Sequence, residues 1–135
     1  MEGMLTLLIP GPPTPWSAPM FSKFKVYDKR CKEKDDARRS LRTQYQAGLI
    51  TYPVKIKFQF YMPIPKSTSR AAKEAMIHNM IPHVKKPDLS NLVKFAEDML
   101  KGIVLIDDNL VTKIIAMKCY SIEPKTVMTI SPYGG

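Results

Sequence analysis

From Val54 to Met62 the chain alternates: Val54, Ile56, Phe58, Phe60 and Met62 are separated by Lys55, Lys57, Gln59 and Tyr61. A period of two puts one set on a buried face and the other toward water, so this stretch predicts a half-buried strand. Pro63 and Pro65 stop it. Residues 4–9 (MLTLLI) are a short apolar run ended by Pro10 and predict a buried strand. Val111–Ile122 is apolar with partial alternation and predicts another. Glu123-Pro124-Lys125 reads as a turn, Thr126–Ile130 as a final strand pairing with its predecessor in a hairpin, and residues 131–135 as a frayed tail.

A period near 3.6 marks the helices. Ala37, Leu41 and Tyr45 recur four apart, which predicts a helix over Cys31–Ala47 with Gly48 after its end. Ser67–Met80 predicts a short helix behind a Ser/Thr cap region. Leu92, Phe95, Ala96, Met99 and Leu100 form the clearest apolar stripe, opened by Asp88 and ended by Gly102. The Asp88 carboxylate is suited to accept from the free N–H groups of the first turn. Between Pro10 and Phe21, five prolines exclude helix and central strand. That irregular loop carries Trp16 and Phe21, exposed or tucked beneath it.

The chain has 135 residues, a length expected of one domain spanning 1–135, with 44% hydrophobic and 24% charged residues. A net charge of +9 favours an acidic partner, nucleic acid above all, over a merely solvated basic surface. Lys23, Lys25, Lys29, Arg30, Lys32, Lys34, Arg38, Arg39 and Arg42 concentrate it in one segment. Glu33, Asp35 and Asp36 offset the first half of the helix there and leave Arg38, Arg39 and Arg42 unopposed. Cys31 and Cys119 have no metal spacing and read as reduced thiols of a cytosolic protein. No run approaches the roughly 20 apolar residues of a membrane span, and the N-terminus lacks signal-peptide features. His78 and His83 have no ligand partner at helical spacing and read as surface or hydrogen-bonded imidazoles.

The chemistry-bearing stretch is residues 85–111. Asp88, Asn91, Lys94 and Asp98, at spacings of three, three and four, share one polar side of the striped helix. Asp107 and Asp108 follow after Gly102 and the apolar run Ile103–Ile106. Phosphodiester hydrolysis needs an activated water and compensation of phosphate charge. A hard divalent cation held by carboxylates supplies both, and a lysine beside it can orient the water or offset charge. The plain alternatives are an N-cap at Asp88, a turn at Asp107-Asp108-Asn109 and a solvated Lys94.

The stretch KKPDLSNLVK, the helix, Gly102 and then Asp107-Asp108 resemble the RusA family of Holliday junction resolvases, whose pattern is roughly K-P-D-x-D-N-L-x-K, a helix and a D-D pair before a strand. The proline-rich IPGPPTPW, the basic helix and the strand ending FYMPIPKS fit as well, so the resemblance covers about residues 4–131. It implies a small α/β (α+β) fold, a mixed β-sheet of about four strands with helices packed on it, working as a homodimer. It implies hydrolysis of branched DNA at four-way junctions with Mg²⁺, or Mn²⁺ in its place, no small-molecule cofactor, no membrane, and a cytoplasmic setting in a bacterium or its phage. On the matching positions, Asp88, Lys94 and Asp108 are catalytic, Asp88, Asp107 and Asp108 hold metal, and Asn91 is the family asparagine. Ser90 stands where the family usually has a second aspartate. That departure makes a weak or inactive junction-binding protein the alternative reading. DNA contact is expected at Lys29, Arg30, Arg38, Arg39, Arg42, Lys85 and Lys86. A third reading is a basic adaptor whose acidic residues are all caps and turns.

Overall fold

A computed structural model of the chain describes residues 3–21 and 25–134, with the backbone alone at Tyr27. Lys23 lies outside the described residues. The chain runs β1 (Leu5–Pro10), β2 (Met20–Phe21), β3 (Val26–Tyr27), α1 (Cys31–Gln44), β4 (Val54–Pro63), α2 (Arg70–Ile77), α3 (Leu89–Leu100), a 3₁₀ turn (Asp108–Leu110), β5 (Val111–Ser121) and β6 (Lys125–Pro132). It is a mixed α+β fold: a four-stranded sheet of order β1-β6-β4-β5 with three helices, and a small β2-β3 ribbon at the end of the proline-rich loop.

The alternation of β4 is realised as read. Val54, Ile56, Phe58, Phe60 and Met62 are buried, and the lysines between them take the other side. Ala37 and Leu41 of α1, together with Leu92, Phe95, Ala96, Met99 and Leu100 of α3, complete the same buried cluster with Leu7, Met128 and Ile130. α1 ends three residues early, at Gln44. Tyr45 is already extended, and its hydroxyl donates to the Gly48 carbonyl. α2 is shorter than expected, and the Ser69 hydroxyl caps it by accepting from the Ala72 N–H at 3.2 Å.

The expected β5–β6 hairpin does not form. β5 runs parallel to β4, with Ile56 opposite Ile114 and Phe58 opposite Ala116. β6 is inserted antiparallel between β1 and β4, with Met128 between Leu7 and Phe58. Thr126, Met128 and Ile130 are buried there. The segment 122–124 carries the chain over the end of β4, a span of two strand spacings, about 10 Å, within the reach of four residue steps. Nor is β5 a buried strand. It is an edge, and Ile114, Ile115 and Met117 are exposed. β1 is the opposite edge, with Leu7 its fully buried residue. Gln44 covers its backbone: the side-chain amide donates to the Leu8 carbonyl at 2.6 Å and accepts from the Leu8 N–H at 2.9 Å. The tail is not frayed at its start, because Ser131 and Pro132 belong to β6 and the Tyr133 N–H donates to Pro53. No described helix is long and apolar enough to cross a membrane.

Candidate active site

The central helix α3 is held at its start by β5. The Lys118 ammonium donates to the carbonyls of Lys85 (2.8 Å) and Pro87 (2.9 Å), the residues leading into Asp88. Next to this clamp His83 is buried against Tyr120, with ring centroids 4.8 Å apart. Its Nδ1 is buried without a hydrogen-bond partner, against the expectation of a surface or hydrogen-bonded ring. Burial, and then the Lys118 charge, push its pKa below the ordinary histidine value. His78 is exposed, 3.4 Å from Glu74, as expected.

Asp88 occupies the N-cap position of α3. Its carbonyl accepts from Leu92, yet its carboxylate makes no cap hydrogen bond, contrary to the sequence reading. The residue is exposed, and among the described residues its carboxylate has no hydrogen-bond or ion-pair partner. Ser90 is exposed in the first turn, which carries no acidic residue. The Asn91 carbonyl accepts the Trp16 N–H at 2.9 Å, docking the proline-rich loop on the helix. Lys94 is not simply solvated: its ammonium lies 3.6 Å from the centroid of the Trp16 ring. Cation–π contacts of this kind are worth roughly 0.5–2 kcal/mol.

Asp107 and Asp108 stand at the other end of α3. Asp107 is 3.3 Å from Lys101, just past the last helical turn. Asp108 raises the pKa of Glu97, second to burial and ahead of Asp98. From Asp88 to Glu97 the helix advances about 13 Å. Among the described residues, no three His, Cys, Asp or Glu side chains form a group able to hold a metal ion. Glu97 was missed by sequence reasoning. It flanks the apolar stripe one position before Asp98, and nothing local marks its neighbour Asp108, eleven residues on.

The basic surface is partly neutralised. Arg38, Arg39, Arg42, Asp35, Thr43 and Gln46 line one groove on α1. Arg39 is not unopposed, because Asp36 lies 3.2 Å away, and Asp36 also accepts from Lys32. These contacts, Lys32 first, hold the Asp36 carboxyl below its usual range. Lys34 pairs with Asp28, which also accepts from the Arg30 backbone N–H. Lys29, Lys85 and Lys86 are exposed, whereas Arg30 is half-buried. Cys31 and Cys119 are free thiols.

Residues 10–131, which include the whole of this arrangement, match the family model described as Endodeoxyribonuclease RusA. The chain belongs to the RusA family. It is also similar to the uncharacterized protein YqaN of Bacillus subtilis (strain 168), at 34% identity over 84 residues. That alignment takes in 61% of this chain and 59% of the relative's length. The RusA match contains the proline-rich loop, α1, the clamp ahead of Asp88 and both acidic ends of α3. The mixed four-stranded sheet with three helices agrees with the fold expected from the resemblance.

Proposed function

We propose that this RusA-family chain is a structure-selective endodeoxyribonuclease that cuts four-way or branched DNA as a homodimer with Mg²⁺, Mn²⁺ being able to replace it. The observation that carries this reading is the Asp88 carboxylate left free of its cap, directly after the Lys85–Pro87 backbone that Lys118 holds and inside a family match that spans most of the chain. A carboxylate left free of its cap is chemically suited to a hard cation. Such a cation, when bound, supplies an activated water and offsets charge on the scissile phosphate. Asp88, Asp107 and Asp108 are the ligands assigned to it, and Lys94 the group that orients water or stabilises charge. Because these acids stand at opposite ends of one α3, the reading gives the second copy the task of completing each site. A two-fold assembly also suits paired nicking of two strands of like polarity. Lys29, Arg30, Arg38, Arg39, Arg42, Lys85 and Lys86 supply phosphate contacts, with salt-sensitive affinity expected.

The second reading, a junction-binding protein with little or no cleavage, is favoured by Ser90, which leaves the first turn of α3 without an acidic side chain. The deciding measurement is cleavage of a labelled synthetic four-way junction with Mg²⁺, with Mn²⁺ and with chelator. Paired, metal-requiring nicks are expected. Asp88→Asn should abolish them while leaving junction binding intact or tighter, because it removes negative charge facing phosphate. Normal cutting by Asp88→Asn would refute the site, and binding without cutting under every metal condition would establish the second reading.

A further inference from the structure

A cleft of about 450 Å³ lies between the proline-rich loop and the start of α3, with Pro13, Pro15, Trp16, Arg30, Lys86 and Asp88 among its lining residues. Its apolar lining is the rings of Pro13 and Pro15 and the Trp16 indole. Its charged lining is the Arg30 and Lys86 cations and the single Asp88 carboxylate. The loop is tied to α3: the Trp16 N–H donates to the Asn91 carbonyl at 2.9 Å, and Lys94, which does not line the cleft, lies over the indole ring. Arg30 is the less exposed of the two cations there and stands at the N-cap of α1. Its Nε–H is buried without a hydrogen-bond partner among the described residues, its guanidinium approaches Glu33 only to 3.9 Å, and 29% of the side chain remains exposed. The part of the guanidinium that stays accessible, with no carboxylate closer than Glu33 among the described residues, is open to donate charge-assisted, bidentate hydrogen bonds to an anion in the cleft.

We infer that this cleft receives one unpaired nucleotide of a DNA strand, its phosphate on Arg30 and Lys86 and its base against Trp16 and the prolines. The volume lies within the roughly 300–1,000 Å³ of small-ligand sites. In an intact duplex the base faces are covered by their neighbours, so the cleft selects a strand whose bases are unstacked. The inference rests on the DNA-directed reading above and adds to it: strand opening beside Asp88, and not duplex surface alone, is what the site reads.

The chain has one tryptophan, so its emission reports this cleft alone. Titration with a short oligothymidylate in chelator should change Trp16 emission saturably. An abasic strand of equal length should bind at least about five-fold more weakly, the smaller end of what one stacked base contributes. A blunt duplex should leave emission unchanged. Arg30→Ala should weaken oligothymidylate at least about ten-fold, and Arg30→Lys less, since lysine keeps the charge but not the fork. Arg30→Ala avoids removing Trp16, which packs against the core and whose loss could unfold the loop. Equal binding of abasic strand and oligothymidylate, or an emission change as large with duplex, would overturn the inference. Junction binding and cleavage are followed in parallel by the labelled strand. An unresponsive Trp16 with normal cleavage defeats the cleft alone, whereas failed junction binding and cleavage with a responsive Trp16 defeats the resolvase reading alone.

Discussion

Single residues in this protein are defined by what surrounds them more than by their type. Glu97 shows this most directly. Burial, then Asp108 and Asp98, raise its pKa above the ordinary glutamate value of 4.5. The folded chain therefore holds that proton more tightly than the unfolded chain, and ionising Glu97 opposes folding. The associated stability is fully present below 4.5 and is lost as pH rises through the raised value. Glu97→Gln should melt higher than the parent at neutral pH and above, with the gap closing below 4.5. A gap independent of pH in thermal melts would show that Glu97 acts by packing and not by charge. Asp88 is the converse case. It sits at a position where aspartate normally caps, yet its carboxylate is left free, and only the structure distinguishes a capping aspartate from an available one.

Among the elements, β5 does more than extend the sheet. Lys118, opposite Phe60 in the parallel ladder, reaches the two carbonyls that lead into α3. Charge-assisted hydrogen bonds of this type contribute roughly 1.5–3 kcal/mol. Misplacement of a reacting group by about 1 Å costs on the order of 100-fold in rate. Lys118→Met should therefore lower metal-dependent cleavage by roughly ten- to a hundred-fold, with junction affinity within about two-fold of the parent. Lys118→Arg should restore part of the rate, because it keeps a cationic donor. Under the proposed reading Lys118 is a positioning residue: cleavage rates that fall only in proportion to the folded fraction, read from melts of the same variants, would reduce it to a structural tie.

At the scale of the whole molecule, the open β5 edge with exposed Ile114, Ile115 and Met117, and the separation of Asp88 from Asp107-Asp108 by the length of α3, both bear on the homodimer reading. Under that reading, Asp88→Asn and Asp108→Asn are each inactive. An equal mixture, unfolded and refolded together, should regain nicking. Half of the dimers are then mixed, and each mixed dimer has one intact site, so about a quarter of the parent nicking rate is expected. Sites built within one chain predict no recovery, because each mixed dimer then carries one lesion in each site. Sedimentation of the parent should give twice the chain mass.

Much of this was legible in the sequence, and the boundary has a physical cause. The alternation of β4, the stripe of α3 from Leu92 to Leu100, the stops at Pro63 and Gly102 and the acidic and basic positions are all local. A side chain's face follows from its spacing along its own element, so the periods reveal it. The basic charge and the K-P-D stretch pointed to a DNA-directed family because they too are properties of the chain. Partners distant in sequence were not legible. β6 entered between β1 and β4, because Thr126, Met128 and Ile130 need two neighbouring strands and a helix layer to be buried, and adjacency to β5 offers one strand only. Lys94 on Trp16, Glu97 beside Asp108, Lys118 on the Lys85 and Pro87 carbonyls and the wide spacing of the acids arise from how finished elements pack, and the tertiary structure alone decided them.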